Sequence, residues 1–223
     1  MIELRLVESA AEAEAVASYF RSVWADGPEV VPADLIIAGV HVNAYSAAAW
    51  QDGEIVGASF GIQGSYRGES VLHSHVTAAT VSGVGYQLKQ HQRQWASGQN
   101  ISAITWTFDP LVRRNCYFNF SKLGVTAVEY LPNFYGAMTD SINAGEESDR
   151  LFAIWKVSGE RQQGKAEIAR VELPEDIESL RRTNLTEANA WRAKVRLQLA
   201  ELFAQNATIS SMTPDRKALI VSK

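Results

Sequence analysis

Three consecutive strand candidates, joined by residues that favour tight turns, restrict the fold of this chain more than any other feature. The candidates are residues 43–51, 54–62 and 70–79. Asp52-Gly53, between the first two, is a strong hairpin signal, and glycines at 64 and 68 mark the second turn. The chain is therefore expected to build an antiparallel meander in this segment.

Helical and strand patterns flank the meander on both sides. Ser9 is followed by Glu12, which predicts a capping box at the start of an amphipathic helix over residues 10–24. Gly124 is expected to end another helix over 111–123 as its C′ residue. The other expected strands are residues 2–7, 101–108, 125–131, 150–157 and 166–172. The other expected helices start near Pro32, span 83–98, start at Pro174, and run through Val195 to Phe203. A hairpin is expected around Pro214-Asp215.

Composition and charge narrow the class of protein. Apolar residues make up 46% of the chain and charged residues 21%, the balance of a globular protein with a buried core. A net charge of −4 argues against nucleic-acid binding, which usually needs a basic face. The single cysteine, Cys116, suggests a reducing compartment. With no signal-peptide pattern and no long apolar stretch, we expect a cytoplasmic protein without membrane contact.

A polar stretch, SGERQQGK, separates the main part of the chain from its tail. We therefore expect a domain over residues 1–157 and an extension over 158–223 made of a strand, helices and a hairpin. The extension is short for an independent core, so it should pack on the first domain or on a second subunit. A homodimer is one of the arrangements that this leaves open.

The sequence SGVGYQLK follows the third strand candidate and opens a helix. Gly83 and Gly85 allow a ligand to approach the backbone closely, and a helix N-terminus offers free N–H groups with a partial positive charge. These properties suit a pyrophosphate group. Glycines also occur at such positions simply because the turn requires them, so both interpretations stay open.

Longer motifs accompany this turn in sequence order. They are LHSH, LKQHQRQWA, ITWTFDPLVRRNCYFNFSKLG and YLPNFYGAMTDSINAGEESDRLFAIW. Together with the order of elements, they resemble the GNAT acyltransferase superfamily, and within it a bacterial branch of predicted acetyltransferases. The resemblance implies an α/β fold with a central mixed, mostly antiparallel sheet that splays at the cofactor cleft, followed by a C-terminal α/β extension.

The resemblance also implies a thioester site. In GNAT proteins the strand before the glycine turn splays from the strand after the helix, and the pantetheine of an acyl-coenzyme A lies in the gap. The implied co-substrate is acetyl- or succinyl-coenzyme A, without a metal, and backbone N–H groups would stabilise the oxyanion. Carried over to this chain, pantetheine would lie against Val76, Thr77 and Ala78, pyrophosphate against Gly83, Val84, Gly85 and Tyr86, and the cofactor would also touch Asn115.

The chain departs from the superfamily pattern in the glycine loop and in the later helix. Thr80 stands where the superfamily usually has glutamine or arginine, and the segment from His75 to Gly83 looks shorter and lacks proline. Phe120 stands where many members place a tyrosine general acid, and phenylalanine has no proton to give. A pantetheine carried by an acyl carrier protein would need less of this loop, because it lacks the 3′-phosphoadenosine end.

Catalytic candidates each have a structural alternative. Asp109, directly before Pro110, is either a general base or a helix N-cap. His73 and His75 share a strand face and are a hydrogen-bonded pair, a general base or two metal ligands, although no further ligand is apparent. Tyr135, in a glycine-flanked loop, is the preferred substitute for the missing acid.

Aromatic and basic residues are the substrate-binding candidates. Trp106 and Tyr130 line either a pocket or the core. Arg114 and Arg150 bind either a substrate carboxylate or nearby acidic residues such as Asp140, Glu146, Glu147 and Asp149. Lys89 and Arg93 are four apart on the helix after the glycine turn and are either phosphate partners or part of a solvated face.

Three functional hypotheses follow. The first is acyl transfer from an acyl-coenzyme A to the amine of a small molecule such as an amino acid. The second keeps the thioester but changes the chemistry, as an acyl-thioester decarboxylase or a carrier-protein-dependent acyltransferase. The third is a degenerate, non-catalytic GNAT domain that binds a metabolite or a partner.

Overall fold

The computed structural model describes residues 1–24, 30–136, 147–159 and 166–223. Its contacts divide the chain into two compact units, residues 1–106 with 156–158 and residues 107–155 with 159–223. We refer to them as the N-terminal unit and the C-terminal unit. The division falls after Trp106, whereas the sequence places a boundary after residue 157.

The N-terminal unit is built on the expected meander. Its elements are β1 (Ile2–Leu6), α1 (Ala10–Val23), α2 (Ala33–His41), β2 (Tyr45–Gln51), β3 (Glu54–Tyr66), β4 (Glu69–Ala79), α3 (Val84–Gly98) and β5 (Ala103–Phe108), the last of which continues into the C-terminal unit. β1 to β4 pair in chain order and antiparallel, and β5 then pairs parallel with β4. Parallel pairing after a helix is the usual result of a strand–helix–strand crossover.

The capping box predicted at the start of α1 is present. The Ser9 hydroxyl accepts a hydrogen bond from the Glu12 backbone, and the Glu12 side chain in turn accepts one from Ser9, which completes the capping box. The apolar face of α1 then packs with α2 against the sheet, where Phe20, Ile36 and Phe60 are at most 2% exposed. Burial of such side chains is the main stabilising term for this half of the unit.

β4 contains an irregularity that no sequence pattern predicted. Ser74 pairs with Gly61 and Val76 pairs with Phe60, so His75 is an extra residue, a β-bulge, between them. A Cβ atom at position 61 would lie 2.9 Å from the carbonyl oxygen of His73. Glycine at 61 therefore leaves room for the backbone at the bulge.

β4 and β5 are paired over only part of their lengths. Their pairs end at His73 with Thr105, while β4 continues to Ala79 with β3 as its neighbour on the other side. Among the described residues, β4 therefore has a strand partner on one edge alone from Ser74 onward. This is the splay that the sequence resemblance implies.

The C-terminal unit combines the middle of the chain with the tail. Its elements are α4 (Arg113–Cys116), which continues as a π-helical segment (Tyr117–Leu123), then β6 (Thr126–Leu131), β7 (Arg150–Lys156), β8 (Glu167–Glu172), α5 (Ile177–Thr183), α6 (Leu185–Ala204), β9 (Thr208–Met212) and β10 (Ala218–Ser222). β6 pairs antiparallel with β7 and with β9, and β10 pairs with both β9 and β8. Strands of the tail thus extend the sheet begun by β6 and β7, which is why the two segments form one unit.

Two helix starts differ from the sequence expectation. α4 begins at Arg113 with Val112 as its N-cap, so the predicted N-cap role of Asp109 is wrong. α5 begins after Asp176, whose side chain accepts from the Ser179 backbone, and not at Pro174. In contrast, α2 begins at Ala33, near Pro32 as predicted, with Pro32 as its N-cap residue. Gly124 likewise adopts φ 75° and ends the π-helical segment as predicted.

No helix in the described part of the chain is long and apolar enough to cross a membrane.

Gly57 of β3 is required for the close packing of α3, and this can be tested by substitution. A Cβ atom there would lie 2.6 Å from Val84 Cγ1 and 3.2 Å from the Ala78 carbonyl oxygen. We expect Gly57→Ala to lower the free energy of unfolding by about 1–3 kcal/mol in urea denaturation, because α3 must shift. Gly64→Ala, where no atom lies within 4 Å of the added group, is the control and should change stability by less than about 1 kcal/mol. Equal effects of the two substitutions would contradict this packing role.

Candidate functional site

The N-terminus of α3 has the properties of an anion site. Gly83 is exposed, adopts φ 84° and is the N-cap residue of the helix. No acceptor for the backbone N–H of Gly85 or Tyr86 lies among the described residues, and the first turn carries no acidic side chain. The Val84 side chain is fully buried, so only its backbone is available to a ligand. Free N–H groups and the helix dipole together favour a bound anion here.

The unpaired edge of β4 leads directly to this helix. Val76 and Ala78 direct their side chains into the core, where each is 8% exposed, so a ligand along this edge would meet their backbone. Thr77 lies between them, and its hydroxyl shares a hydrogen bond of 2.8 Å with Ser59. The predicted pantetheine and pyrophosphate positions therefore form a continuous path within the N-terminal unit.

A buried polar network lies between α3 and the sheet. Lys89 Nζ donates to Ser74 Oγ at 2.7 Å and to Gln92 Oε1 at 3.3 Å, and Gln92 Nε2 donates to Ser59 Oγ at 3.3 Å. In a regular strand, side chains alternate, so Ser74 and Thr77 would lie on opposite faces. The bulge at His75 changes this phase, and both side chains join the network.

Lys89 is the largest difference between expectation and structure within this unit. The sequence presents it as a phosphate partner or part of a solvated face, but the residue is 6% exposed and points into the network. Burial lowers the pKa of its amine to about 7. Its Nζ lies 4.0 Å from the ring centroid of Trp106, a substrate-pocket candidate that is itself buried. Trp106 therefore packs against the Lys89 amine, on the face of the sheet that α3 covers.

The two histidines of β4 differ in environment. His73 is half-buried, its Nδ1 lies 3.2 Å from Thr105 Oγ1, and burial, together with the charges of His75 and Lys89, lowers its pKa. His75 is exposed at the bulge. His73 is therefore hydrogen-bonded to Thr105 of β5, and His75 is the histidine that a solvent-borne substrate can reach. The expected hydrogen-bonded pair of the two histidines stays a prediction. No metal-ligand cluster occurs within the described ranges.

In the C-terminal unit, Asp109 is engaged in a buried ion pair. Its Oδ2 accepts from Arg181 Nη2 at 2.6 Å and its Oδ1 accepts from the Leu111 backbone at 2.8 Å. The side chains of Asp109 and Arg181 are only 10% and 3% exposed. A role as general base would require Asp109 to exchange one of these donors for substrate.

A second carboxylate, Asp149, organises Tyr130 in a similar way. Asp149 accepts from the Tyr130 hydroxyl and from Arg196 Nε, the latter at 2.9 Å. Burial, and then the neighbouring carboxylate, raise the pKa of Tyr130, while the bonds to Asp149 raise the pKa of Arg196. Tyr130 is therefore a neutral phenol whose hydroxyl is already a donor to a charged acceptor.

Tyr135, the predicted acid, and Arg150, a predicted substrate contact, lie beside each other. The Tyr135 hydroxyl lies 2.9 Å from Thr107 Oγ1, and the ring is 45% exposed. The Arg150 guanidinium carbon lies 5.5 Å from the centre of that ring, and Arg150 Nη1 donates to the Asp149 carbonyl at 2.9 Å. Burial lowers the pKa of Arg150. An exposed phenol beside a buried cation can donate a proton to a bound ligand.

Three further residues to consider lie on α4. Arg114 is exposed and pairs with Glu178 at 2.7 Å, which fits the alternative of a surface ion pair. Asn115 lies in the first turn of α4 and stays a predicted cofactor contact. Cys116 is buried, and burial raises the pKa of its thiol well above the ordinary value, which disfavours the reactive thiolate. Of the acidic partners proposed for the arginines, Asp140 and Glu146 lie outside the described residues.

The two departures from the superfamily motif have clear structural settings. Thr80 donates its backbone N–H and its hydroxyl to the Val56 carbonyl, so it supplies a strand-end contact and no positive charge. Phe120 is fully buried and packs edge-on against Phe108 at 5.6 Å between ring centres. Neither position can provide the group that the family motif usually places there.

Comparison with known proteins identifies the architecture. A GNAT-family acetyltransferase from Streptococcus pneumoniae superposes with a TM-score of 0.56 at 12% identity, covering 71% of this chain and all of the other. The aminoglycoside 6′-N-acetyltransferase from Enterococcus faecium gives 0.53 at 14% identity, covering 71% and 98%. The chain has the GNAT fold. This confirms the fold class predicted from the sequence.

One further solved structure of this fold contains coenzyme A. An aminoglycoside 6′-N-acetyltransferase complexed with coenzyme A superposes with a TM-score of 0.52 at 14% identity, covering 71% of this chain and 98% of the other. No protein-family model matches the sequence, and no curated protein matches it either. At these identities the likeness to the GNAT proteins concerns the fold.

The arginines that pair with Asp109 and Asp149 are distant from them along the chain and were not predicted from the sequence. Arg181 and Arg196 lie in the C-terminal extension and pair with Asp109 and Asp149. Their separation along the chain leaves no local pattern that would connect them. The burial of Lys89 also left no clear sequence pattern, because Gln92, three positions later and likewise buried on α3, is itself polar.

The buried pair in the C-terminal unit gives a stability prediction. Asp109→Asn should lower the free energy of unfolding by about 3 kcal/mol, because Arg181 would keep its buried charge and lose its carboxylate partner. Glu178→Gln removes the carboxylate of the exposed Arg114 pair and is the matched control, with an expected loss below about 1 kcal/mol. Urea denaturation of both variants at pH 7 measures the difference. Similar losses in the two variants would show that the Asp109 pair is not the stronger contributor.

Proposed function

We propose that this protein transfers an acyl group from an acyl-coenzyme A thioester to the amine of a small molecule such as an amino acid. The observation that carries the proposal is the unpaired edge of β4, which begins after His73 and leads to the free N–H groups at the start of α3. An extended arm with backbone-like amides can pair with such an edge, and a diphosphate can accept from such a helix start. Acyl-coenzyme A contains both.

Residues of the N-terminal unit fit this co-substrate. Val76, Thr77 and Ala78 would receive the pantetheine along their backbone. The first turn of α3, from Gly83 to Tyr86, would receive the pyrophosphate, because no Cβ projects from position 83 and no acidic side chain opposes the anion. Asn115 is carried over from the family pattern as a further contact.

The proposed chemistry is direct attack of a neutral amine on the thioester carbonyl. The new C–N bond forms as the C–S bond breaks, coenzyme A leaves as a thiolate, and the amine gives up a proton. His75, exposed at the bulge, is the proposed acceptor of that proton, and Tyr135 is the proposed donor to the thiolate. Asp109 stays a predicted alternative base that would first have to leave Arg181.

The acceptor is proposed to carry a carboxylate. Arg150 is a buried cation beside Tyr135, and a guanidinium can bind a carboxylate through two parallel hydrogen bonds. Trp106, Tyr130 and Arg114 stay predicted substrate contacts. A cytoplasmic location and a homodimer likewise stay predictions from the sequence.

A second candidate function rests on the glycine loop and Phe120. Thr80 brings no charge to the coenzyme, and buried Phe120 cannot donate a proton. An acyl carrier protein would present pantetheine without the adenosine end, so it would depend less on the loop. The same observations also suit an acyl-thioester decarboxylase or a domain that binds a metabolite without catalysis.

Binding of the co-substrate can be tested by thermal denaturation. At a hundredfold excess over Kd, acetyl- or succinyl-coenzyme A should stabilise the protein by about 2.7 kcal/mol and raise its Tm accordingly. Gly83→Asp should abolish that shift, because it places a carboxylate where pyrophosphate would lie. Gly68→Asp is the control, since Gly68 also has a positive φ, of 82°, with open space around it but lies in the β3–β4 turn.

The possible outcomes separate the hypotheses. A shift retained in Gly83→Asp would mean that the coenzyme binds elsewhere on the protein. If none of the free coenzymes shifts the wild type, the first proposal fails, and phosphopantetheine on an acyl carrier protein is the next ligand to measure.

The role of Tyr135 can be tested in the same assay system. Tyr135→Phe should lower kcat at least about tenfold, because the leaving thiolate loses its proton donor, while the coenzyme-induced Tm shift should stay the same. Tyr117→Phe, which keeps the ring that contacts Arg216, is the control and should leave kcat unchanged. An unchanged kcat in Tyr135→Phe would remove this residue as the acid.

A further inference from the structure

Lys89 lies beneath the point where β4 and β5 part. The last pair between the strands joins His73 to Thr105, so Ser74 and Trp106 are the first residues beyond it on either strand. Lys89 Nζ contacts both, at 2.7 Å from Ser74 Oγ and 4.0 Å from the centre of the Trp106 ring. A single amine on α3 therefore touches each strand at the start of the gap.

The two contacts respond differently to the charge of the amine. A neutral amine can still donate a hydrogen bond to Ser74, but the attraction to the face of the Trp106 ring depends on the positive charge. No carboxylate pairs with Lys89 among the described residues, and its polar partners are the neutral Ser74 and Gln92. Loss of the proton from Lys89 should therefore weaken its contact with β5 more than its contact with β4.

We propose that Lys89 is a positioning residue for the thioester, which sets the opening between β4 and β5 through Ser74 and Trp106 and does so best when its amine is protonated. The inference rests on the proposed function, because the opening is where pantetheine would pair with the β4 backbone at Val76–Ala78. Beyond the proposed function, it requires that binding of the coenzyme and protonation of Lys89 favour each other.

Burial fixes the pH range in which this coupling acts. Because desolvation lowers the pKa of Lys89 to about 7, the amine loses its charge as the pH rises through neutrality. Bound coenzyme should raise that pKa, so binding above pH 7 should be accompanied by proton uptake.

The titratable groups around Lys89 are few. On β4, His73 lies close enough for the charge of Lys89 to contribute to its lowered pKa, of which burial is the main cause. On α3, His91 bonds to the Tyr45 hydroxyl of β2, and Arg93, four positions after Lys89, donates to the Val157 carbonyl. The paired segment of β5 and Ser59 of β3 contribute no titratable side chain.

Calorimetric titration of the full chain with acetyl-coenzyme A between pH 6.5 and 8.5 tests the proposal. Two buffers with different ionisation enthalpies at each pH give the number of protons taken up. The wild type should bind about sixfold more weakly at pH 8.5 than at 6.5, because loss of the cation–π contact, worth about tenfold in affinity, corresponds to a change of about 1 in the pKa of Lys89. Proton uptake should then peak at about half a proton. The phosphates of the ligand titrate equally in every variant.

Substitutions of Lys89 and of a control lysine give the decisive comparison. Lys89→Met should bind about tenfold more weakly at pH 6.5, with little change up to pH 8.5. Lys89→Arg keeps its charge and should hold its affinity at pH 8.5 without the extra proton uptake. Lys156→Met, at an exposed lysine that ends β7, should behave as the wild type.

If Lys89→Met retains the pH profile and proton uptake of the wild type, or if Lys89→Arg weakens with pH as the wild type does, the positioning role is overturned while the proposed function stands. If the wild type binds no acyl-coenzyme A at any pH, the proposed function and this role both fail. Should Lys89→Met not fold, by near-ultraviolet circular dichroism, Lys89→Arg alone decides.

Discussion

The packing of α3 against the meander is the constraint on which the N-terminal unit depends. α3 lies on β2, β3 and β4, and Gly57 lets Val84 approach β3 more closely than any side chain there would allow. This contact fixes where the helix begins. Because Gly83 must then take a left-handed conformation after the end of β4, the free N–H groups of the first turn lie directly beyond the strand edge.

The bulge at His75 has consequences on both faces of the sheet. It places Ser74 and Thr77 on the face covered by α3, where they meet Lys89, Gln92 and Ser59 in a satisfied network. It also leaves His75 exposed, as an extra residue beside the edge proposed for the thioester. A polar network of this kind holds a strand in one register, because each member would lose a buried partner if the register moved.

Charge is organised by long-range pairing in the C-terminal unit. Asp109 and Asp149 are each buried, and each is neutralised by an arginine from the extension, Arg181 on α5 and Arg196 on α6. The sequence identified Asp109, Tyr130, Tyr135 and Arg150 as candidates by residue type and setting. It did not connect them with the extension, because an ion pair between residues so far apart in the chain has no local pattern. The tail thus supplies partners to the candidate site as well as strands to the sheet.

Local signals were enough to place nearly all helices and strands, since capping boxes, hairpin dipeptides and a C′ glycine act over a few residues. The order of elements, the glycine turn and the longer motifs resemble the GNAT superfamily, and the structure confirms the fold that this resemblance implies. The protonation behaviour of Lys89, the bulge at His75 and the pairing of Asp109 were decided only by the tertiary structure. Burial and partner geometry determine whether a charged side chain is solvated, paired or held near its point of titration, and both arise from packing between elements that are distant in the chain.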